Sequence, residues 1–486
     1  MQNLEKRTNS TKNPWKNGQN TLKYLWKNGQ GGHILLFRKI YSELEKFYSE
    51  NPREALLVTG ARQIGKSFVI REFGKSHFEH FVEINFIEMP QAVDAFKNAK
   101  DTQELLLRIT ALTNQPMEKS KTLIFLDEVQ KVPEIVTAIK FLVEEGSYRY
   151  VLSGSLLGIE LKNLRSVPVG FMTIKEMFPL DLEEFFIACG VQPQIFKALK
   201  QNFEQKTPVD SIIHEKMMQL FRLYMITGGM PAVVQTYLET NNIQNVLAIQ
   251  KSILQMYRQD ISQYDPENKL YIEDIFDLIP AELNSQNKRF ILKKLNENLK
   301  FSRYEDSFIW LREAGVALPT YNVESPTLPL ELAKQRNLFK LFSNDVGLLA
   351  SQYAQGIQLK ILNNEKSINY GAIFENAVAQ ELKAHGFKLF YFNSKKQGEL
   401  DFVINMDDEL VPIEVKSGKD YERHNALKNV LANPEYEIKK AYVLCNDNIK
   451  CSEKITYLPI YMTMFVQNSI LPAFIYKVDL QGLIKN

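Results

Sequence analysis

The chain has 486 residues, 45% hydrophobic and 24% charged, a length that fits about three domains. Its 59 Lys and Arg stand against 57 Asp and Glu, which excludes capture of nucleic acid by bulk charge and leaves only a local patch for such a contact. Three cysteines (Cys189, Cys445, Cys451) and six histidines offer no disulfide framework and no zinc pairing, as expected of a reducing cytoplasm, and no apolar run nears the roughly 18 residues of a membrane span.

Residues 1–32 are polar, rich in Asn, Lys and Gly, and carry WKNGQ twice, at Trp15–Gln19 and Trp26–Gln30. With little to bury and no apolar core of a signal peptide, they predict a disordered or loosely attached tail; a paired-tryptophan docking site is the alternative. The fold is expected to start with a helix over Leu36–Tyr48.

Leu56-Leu57-Val58 is a short apolar strand, Gly60–Lys66 spells GxxxxGK, and Ser67 opens a helical stretch. Strand before and helix after make TGARQIGKS a phosphate-binding loop. Backbone N–H groups across Gly60, Ala61, Arg62, Gln63, Ile64 and Gly65 wrap the β-phosphate of ATP, Lys66 reaches the β- and γ-phosphates, and the Ser67 hydroxyl takes magnesium. The run Thr122–Leu126 is continuous and β-branch-rich, the pattern of a strand buried on both faces. It ends in Asp127, placed to hold the magnesium through water, and Glu128, placed to polarise the attacking water. Capping of the next helix is the bland alternative for this pair. A further strand, Tyr148–Leu152, ends in Ser153-Gly154-Ser155; Ser153 is preferred to Ser155 as a γ-phosphate sensor, and a simple turn is equally consistent.

With Ala55–Thr59 and Phe81–Asn85, these strands alternate with helical stretches, so residues 33–205 predict an α/β domain with a parallel sheet. Residues 206–345 read as a helical lid, with helices over Ile212–Tyr224, Ala232–Tyr237, Val246–Gln259 and Arg289–Leu299 and a break at Gly228–Pro231. Tyr304–Ala314 and the strand Val316–Val323 suggest the helix and wing of a winged helix. Its Glu305, Asp306 and Glu313 against Arg303 and Arg312 disfavour contact with phosphates. Asn337–Leu349 reads as a strand and the start of a helix.

Residues 346–486 form the third predicted domain. A helix over Gly371–His385 is followed by Leu389–Asn393, strands Glu399–Asn405 and Leu410–Lys416, a helix over Tyr421–Leu431 and a strand Ala441–Cys445, the order of a small α/β nuclease core. Glu414 and Lys416 lie two apart on one strand and share a face, with Val411, Ile413 and Val415 on the other. The hairpin can bring Asp401 beside them. Two carboxylates there would hold magnesium or manganese, and Lys416 would orient a water or neutralise charge on a phosphate. Glu375 is the best additional acid and Glu381 the next; ordinary surface alternation of a half-exposed sheet is the bland reading.

The segments LLVTGARQIGKS, TLIFLDEVQ, YVLSGSLLG, FPLDLEEFF, YMITGGMPAVV, WLREAG, DVGLL, GAIFENAVAQEL, GELDFVI and PIEVKSGK together resemble the prokaryotic AAA-type ATPases (AAA_14-like) that carry a C-terminal DUF4143 domain with a PD-(D/E)XK nuclease-like core. The resemblance implies an additional-strand ATPase core, a lid with winged-helix character and a restriction-endonuclease-like α/β domain. It puts nucleotide contacts on Gly60, Gly65, Lys66, Ser67, Asp127 and Glu128, and nuclease-like positions on Glu375, Asp401, Glu414 and Lys416. Arg165 becomes the candidate arginine for the γ-phosphate, from its own subunit or a neighbour's, and a neighbour's Arg149 is a second. After PIEVKSGK stand His424, Asn425 and Lys428 where active nucleases of this class often have a glutamine, and FPLDLEEFF suits packing of the sheet on the lid. Expected cofactors are ATP and Mg2+, with Mg2+ or Mn2+ in the last domain. Candidate partners are DNA or RNA, a protein or a second copy of the chain, and no membrane. The leading function is a cytoplasmic ATPase coupled to a nuclease-like module; the other is a slow nucleotide-switched adaptor with an inactive docking domain.

Overall fold

The computed structural model describes residues 35–155, 170–264, 269–285, 288–291, 304–354, 356–365, 370–469 and 476. The tail with both WKNGQ copies, Arg165 and most of the helix expected over Arg289–Leu299 lie outside the described residues.

Five strands, β1 (Ala55–Thr59), β2 (His80–Asn85), β3 (Thr122–Asp127), β4 (Arg149–Gly154) and β5 (Met172–Glu176), form a parallel sheet in the order β2-β3-β4-β1-β5. Strand β4 therefore sits between the strand that feeds the phosphate loop and the strand that ends in Asp127. Leu56, Val58, Leu123 and Phe125 enter one core, under α1 (Ile40–Glu50) and α2 (Lys66–His77). Ala55, Leu57, Ile124 and Leu126 enter the other, under α3 (Pro90–Lys97), α4 (Thr102–Thr113) and α5 (Ile135–Glu145). Burial on both faces is why these strands read as unbroken apolar runs. The edge strand β5, with its half-exposed MTIKE, has no such run and was not legible.

A helical region follows: α6 (Leu182–Ala188), α7 (Pro193–Gln205), α8 (Ser211–Thr227), α9 (Pro231–Thr240), α10 (Ile243–Tyr264), α11 (Lys269–Leu283) and α12 (Glu305–Glu313). Asp181 and Glu184 make a reciprocal capping box on α6. The Gly-Gly-Met-Pro break ends α8 and seats Pro231 in the first turn of α9, where a missing N–H costs nothing.

The expected wing is corrected by the sheet pairing. Strands β6 (Ala317–Val323) and β7 (Lys334–Ser343) are an antiparallel pair, but β6 also runs parallel to β8 (Phe390–Ser394), with Tyr321–Val323 opposite Phe390–Phe392. They form the far edge of a mixed eight-stranded sheet, β12-β13-β11-β10-β9-β8-β6-β7, with β9 (Gly398–Met406), β10 (Glu409–Val415), β11 (Ala441–Cys445), β12 (Lys450–Ser452) and β13 (Ile455–Pro459). The physical reason is burial: Val323 and Leu330 share a core with Phe390, Phe392 and Leu400, so the pair has a sheet to join. Helices α13 (Val346–Ser351), α14 (Ile357–Leu362) and α15 (Gly371–Ala384) stand between β7 and β8, and α16 (Asn425–Ala432) covers the outer face. One continuous core runs from Leu44 through α8, α10 and α13 to Val466, joining the three regions.

Candidate nucleotide site and carboxylate centre

The phosphate loop leaves β1 through Gly60, whose φ is +135° and whose Cβ, if present, would lie 2.2 Å from the Met177 carbonyl oxygen. It enters α2 through Gly65 at φ +88°, with no side chain capping the helix, so the first N–H groups of α2 have no intrahelical partner and face outward with the positive end of the dipole. Lys66 is 8% exposed, and its Nζ donates to Gly60 O at 3.0 Å and Ala61 O at 2.7 Å. Burial pulls its ammonium down to about 8, against the opposing pull of Glu128 and Asp127.

Asp127 ends β3 almost fully buried. It accepts from the Ser153 hydroxyl and from Asn85 Nδ2 at 3.2 Å. Ser153 is itself buried and donates its single hydroxyl proton to that carboxylate, which helps to orient Asp127. Glu128 stands at φ +60°, an uncommon conformation for a non-glycine residue, and accepts from the Gln130 side-chain amide. Ser155 accepts from Arg62 Nε at 3.2 Å.

Two groups that carry no sequence motif clamp the loop from outside. Arg38 donates through Nη1 to Ile64 O at 2.7 Å and through Nη2 to Phe178 O, and pairs through Nε with Glu184 at 3.2 Å. From α10, Asp260 pairs with Arg62, and Tyr257 donates to Arg62 O at 3.2 Å. Arg149 is not available to a nucleotide of its own subunit. It begins β4 at the opposite end from the loop, donates to Asn51 Oδ1 at 2.5 Å and to Phe47 O, and lies over the Phe47 ring. Arg165 lies outside the described residues.

The sheet, the helices and the C-terminal domain meet at a buried joint. Asp345 accepts from Gly229 N at 2.6 Å and Leu348 N at 2.9 Å, and burial raises its carboxyl to about 6. Gln380 of α15 donates to Tyr224 Oη at 2.8 Å, and that hydroxyl donates to Leu180 O at 2.7 Å. Beside it, Lys39 holds Asp181 at 2.7 Å, and Glu381 accepts from Leu182 N at 3.0 Å with His385 Nε2 3.4 Å away. Glu381, expected as a second-choice acid of the metal site, thus belongs to the joint, because the helix turns it toward α6. FPLD, GGMP, DVG and the QE of α15 are parts of one contact.

The four nuclease-like positions do come together, but with company. Asp401 accepts from Val415 N at 2.8 Å, and Lys416 pairs with Glu414 at 2.6 Å. Lys340 of β7 is fully buried, 2.7 Å from Glu399, 3.7 Å from Glu375 and 4.0 Å from Asp401. Lys288 pairs with the other oxygen of Glu375. Burial, then the charge of Asp401, raises the Glu414 carboxyl to about 8, against the opposing pull of Lys416; the same two causes raise Glu375. Among the described residues, two groups of three His, Cys, Asp or Glu bring ligand atoms within 4.8 Å of one another, Glu79–His80–Glu118 and Asp181–Glu381–His385, and the expected trio Glu375–Asp401–Glu414 is not one of them. The centre as built does not fit a divalent cation. His424 is bonded through Nε2 to Tyr457 Oη at 2.8 Å.

Residues 52–186 match the family model of an AAA domain, residues 218–360 that of a domain of unknown function, DUF8612, and residues 370–462 that of a domain of unknown function, DUF4143. No curated protein matches the chain in sequence. Among solved structures, the Walker-type ATPase PABY2304 of Pyrococcus abyssi is 13% identical with a TM-score of 0.40, over 65% of this chain and 96% of that one. The ORC1 protein of Aeropyrum pernix, solved in complex with DNA, is 11% identical with a TM-score of 0.29, over 68% and 94%. Cdc6p of Pyrobaculum aerophilum is 12% identical with a TM-score of 0.24, over 71% and 98%. The parallel strand order β2-β3-β4-β1-β5 carries the fold of the first domain.

Proposed function

We propose that this chain, which joins an AAA-type ATPase domain to a C-terminal DUF4143 domain, hydrolyses ATP with magnesium and passes the change of nucleotide state to its nuclease-like C-terminal domain. The observation that carries the reading is the convergence of Lys66, Ser67, Asp127 and Glu128 where three adjacent strands of a parallel sheet end. The unpaired N–H groups at the start of α2 would hold the β-phosphate, and the Lys66 ammonium would leave its carbonyl partners for the β- and γ-oxygens. Ser67 and Asp127 would hold the magnesium, which supplies charge neutralisation on the triphosphate. Asn85 and Ser153 keep Asp127 oriented, and Glu128, presented by its left-handed backbone, would take a proton from the attacking water.

Coupling is supported by two contacts that leave the loop. Arg62 reaches α10 through Asp260, and Arg38 reaches the Phe178–Glu184 segment that ends at the joint with Asp345 and Gln380. A loop that closes on phosphates pulls on both. The hairpin β9–β10, the helix α16 and the parallel strand β11 support the nuclease-like architecture of the C-terminal domain. Nucleic acid or a protein are the partners such a domain would hold.

The test is calorimetry and turnover on two variants. Lys66→Ala should lose most ATP affinity while remaining folded, and Glu128→Gln should bind ATP with turnover lowered about 10²-fold or more, the scale of a lost general base. Unchanged ATP binding in Lys66→Ala would sink the assignment.

A further inference from the structure

We propose that the carboxylate centre of the C-terminal domain carries its cation covalently: Lys340, aided by Lys288, stands where a nuclease of this architecture would hold a divalent metal, and the centre takes up no divalent ion. This deepens the reading of the C-terminal domain and is independent of the ATPase assignment.

Lys340 is the cation at the middle of the cluster. It is wholly buried on β7, and its Nζ has the carboxylates of Glu399, Glu375 and Asp401 at 2.7, 3.7 and 4.0 Å, with the Tyr391 ring 5.0 Å away. A buried ammonium has to be paired, and these acids are its ion-pair partners. Lys288 covers the remaining oxygen of Glu375, and Lys416 covers Glu414. Every acid of the cluster thus has an ammonium within ion-pair distance, Asp401 at the longest, 4.0 Å, and Asp401 spends its other oxygen on Val415 N. Magnesium binds oxygen at about 2.1 Å and demands near-octahedral geometry. An ion seated on Asp401 and Glu375 would lie within a few ångströms of the Lys340 charge, in surroundings that screen it poorly. Two like cations cannot share that space.

Chain position gives the arrangement its meaning. Lys340 and Lys288 both precede the DUF4143 match at 370–462 and fall within the 218–360 match, whereas Glu375, Glu399, Asp401 and Glu414 lie inside the former. The centre is therefore an ionic seam between the middle region and the C-terminal domain. Its four acids and three lysines tie β7, β9, β10 and α15 into one unit.

The experiment uses the full chain, freed of divalent ions and nucleotide, with manganese as the probe. Thermal unfolding is followed with and without millimolar manganese in the unaltered chain and in Asp401→Asn, and manganese binding is read by electron paramagnetic resonance. The expected result is that any manganese-induced shift is the same in both, since it arises at the phosphate loop. A shift or a bound-manganese signal that Asp401→Asn abolishes would overturn the proposal. Lys340→Met, its fold checked by retained ATP affinity, should gain a manganese site that the added Asp401→Asn change removes; a folded Lys340→Met chain that gains none would equally overturn it. Failure of Lys66→Ala to lose ATP binding would leave this result untouched, so the two readings fail separately.

Discussion

Arg62, in the middle of the phosphate loop, is ion-paired with Asp260 of α10, 198 positions further along the chain. The loop that would surround a triphosphate is thus already holding a carboxylate from the helical region, and the two anions compete for one guanidinium. Asp260→Asn should free that guanidinium and remove a negative charge beside the site. We expect ATP affinity to rise by about threefold to tenfold, the scale of one partly exposed ion pair, with weaker coupling to the rest of the chain. Titration calorimetry checks it; an unchanged or lowered affinity would show that the pair does not compete with nucleotide.

The Lys66 ammonium sets a pH dependence. Held down to about 8 by burial, it is charged below that pH and neutral above it. Only the charged form meets phosphate oxygens with a charge-assisted hydrogen bond. ATP affinity should therefore fall as pH rises through about 8, and binding near that pH should take up a proton. Calorimetry in two buffers of different ionisation enthalpy measures the uptake. Affinity that stays flat from about pH 7 to 9 would place the lysine's proton elsewhere.

The joint has no room for change. A Cβ on Gly228, at φ +65°, would lie 2.1 Å from Asp345 Oδ1, and one on Gly229 would lie 2.0 Å from Leu180 O. Asp345→Asn turns an acceptor for the Gly229 or Leu348 N–H into a donor facing a donor, a loss of about 2 kcal/mol, typical for a buried hydrogen bond to a charged group. Gly228→Ala should cost at least as much. Both variants should lower the midpoint of thermal unfolding, and Asp345→Asn should also weaken the response of the C-terminal domain to ATP.

His385 sits beside Glu381 and near Lys39 and Asp181, with Nδ1 donating to Val466 O at 2.9 Å. Burial lowers its pKa to about 4. A histidine depressed in the folded state favours folding above its ordinary value of about 6.5, and that contribution is lost as pH falls from there toward 4. The full difference corresponds to at most about 3 kcal/mol. His385→Gln should flatten the unfolding free energy over that window relative to the unaltered chain, in denaturant titrations at several pH values. Parallel slopes in the two proteins would contradict it.

Much of the ATPase site was legible because its chemistry is local. GARQIGKS is one turn between a strand and a helix, and Asp127-Glu128 ends an apolar run whose length and β-branching mark a doubly buried strand. Asp401, Glu414 and Lys416 were likewise within reach of a period-two argument, since β9 and β10 are joined by a tight turn and pair antiparallel from Met406–Glu409 to Phe402–Ile413. The edge strand β5, half exposed and without a run, had no such pattern, and β6 and β7 looked like a wing because their hairpin is local while their sheet partner is not.

What the amino-acid order determined by itself is therefore the set of faces and turns: which residues line each strand, where glycine lets the backbone turn, and which side chains cluster within one hairpin. What only the tertiary structure decided is who satisfies whom. Lys340 carries the same charge as any surface lysine in the sequence, and it becomes the counter-ion of a buried carboxylate cluster because β6 and β7 join the C-terminal sheet. Arg38 and Asp260 become parts of the phosphate loop's support, and Ser153 a holder of Asp127, through contacts spanning 26 to 198 positions. Periodicity reports the direction in which a side chain leaves the backbone, but the partner of a charge is set by which distant element is packed against it, because a buried ion must find its counter-ion wherever the fold supplies one.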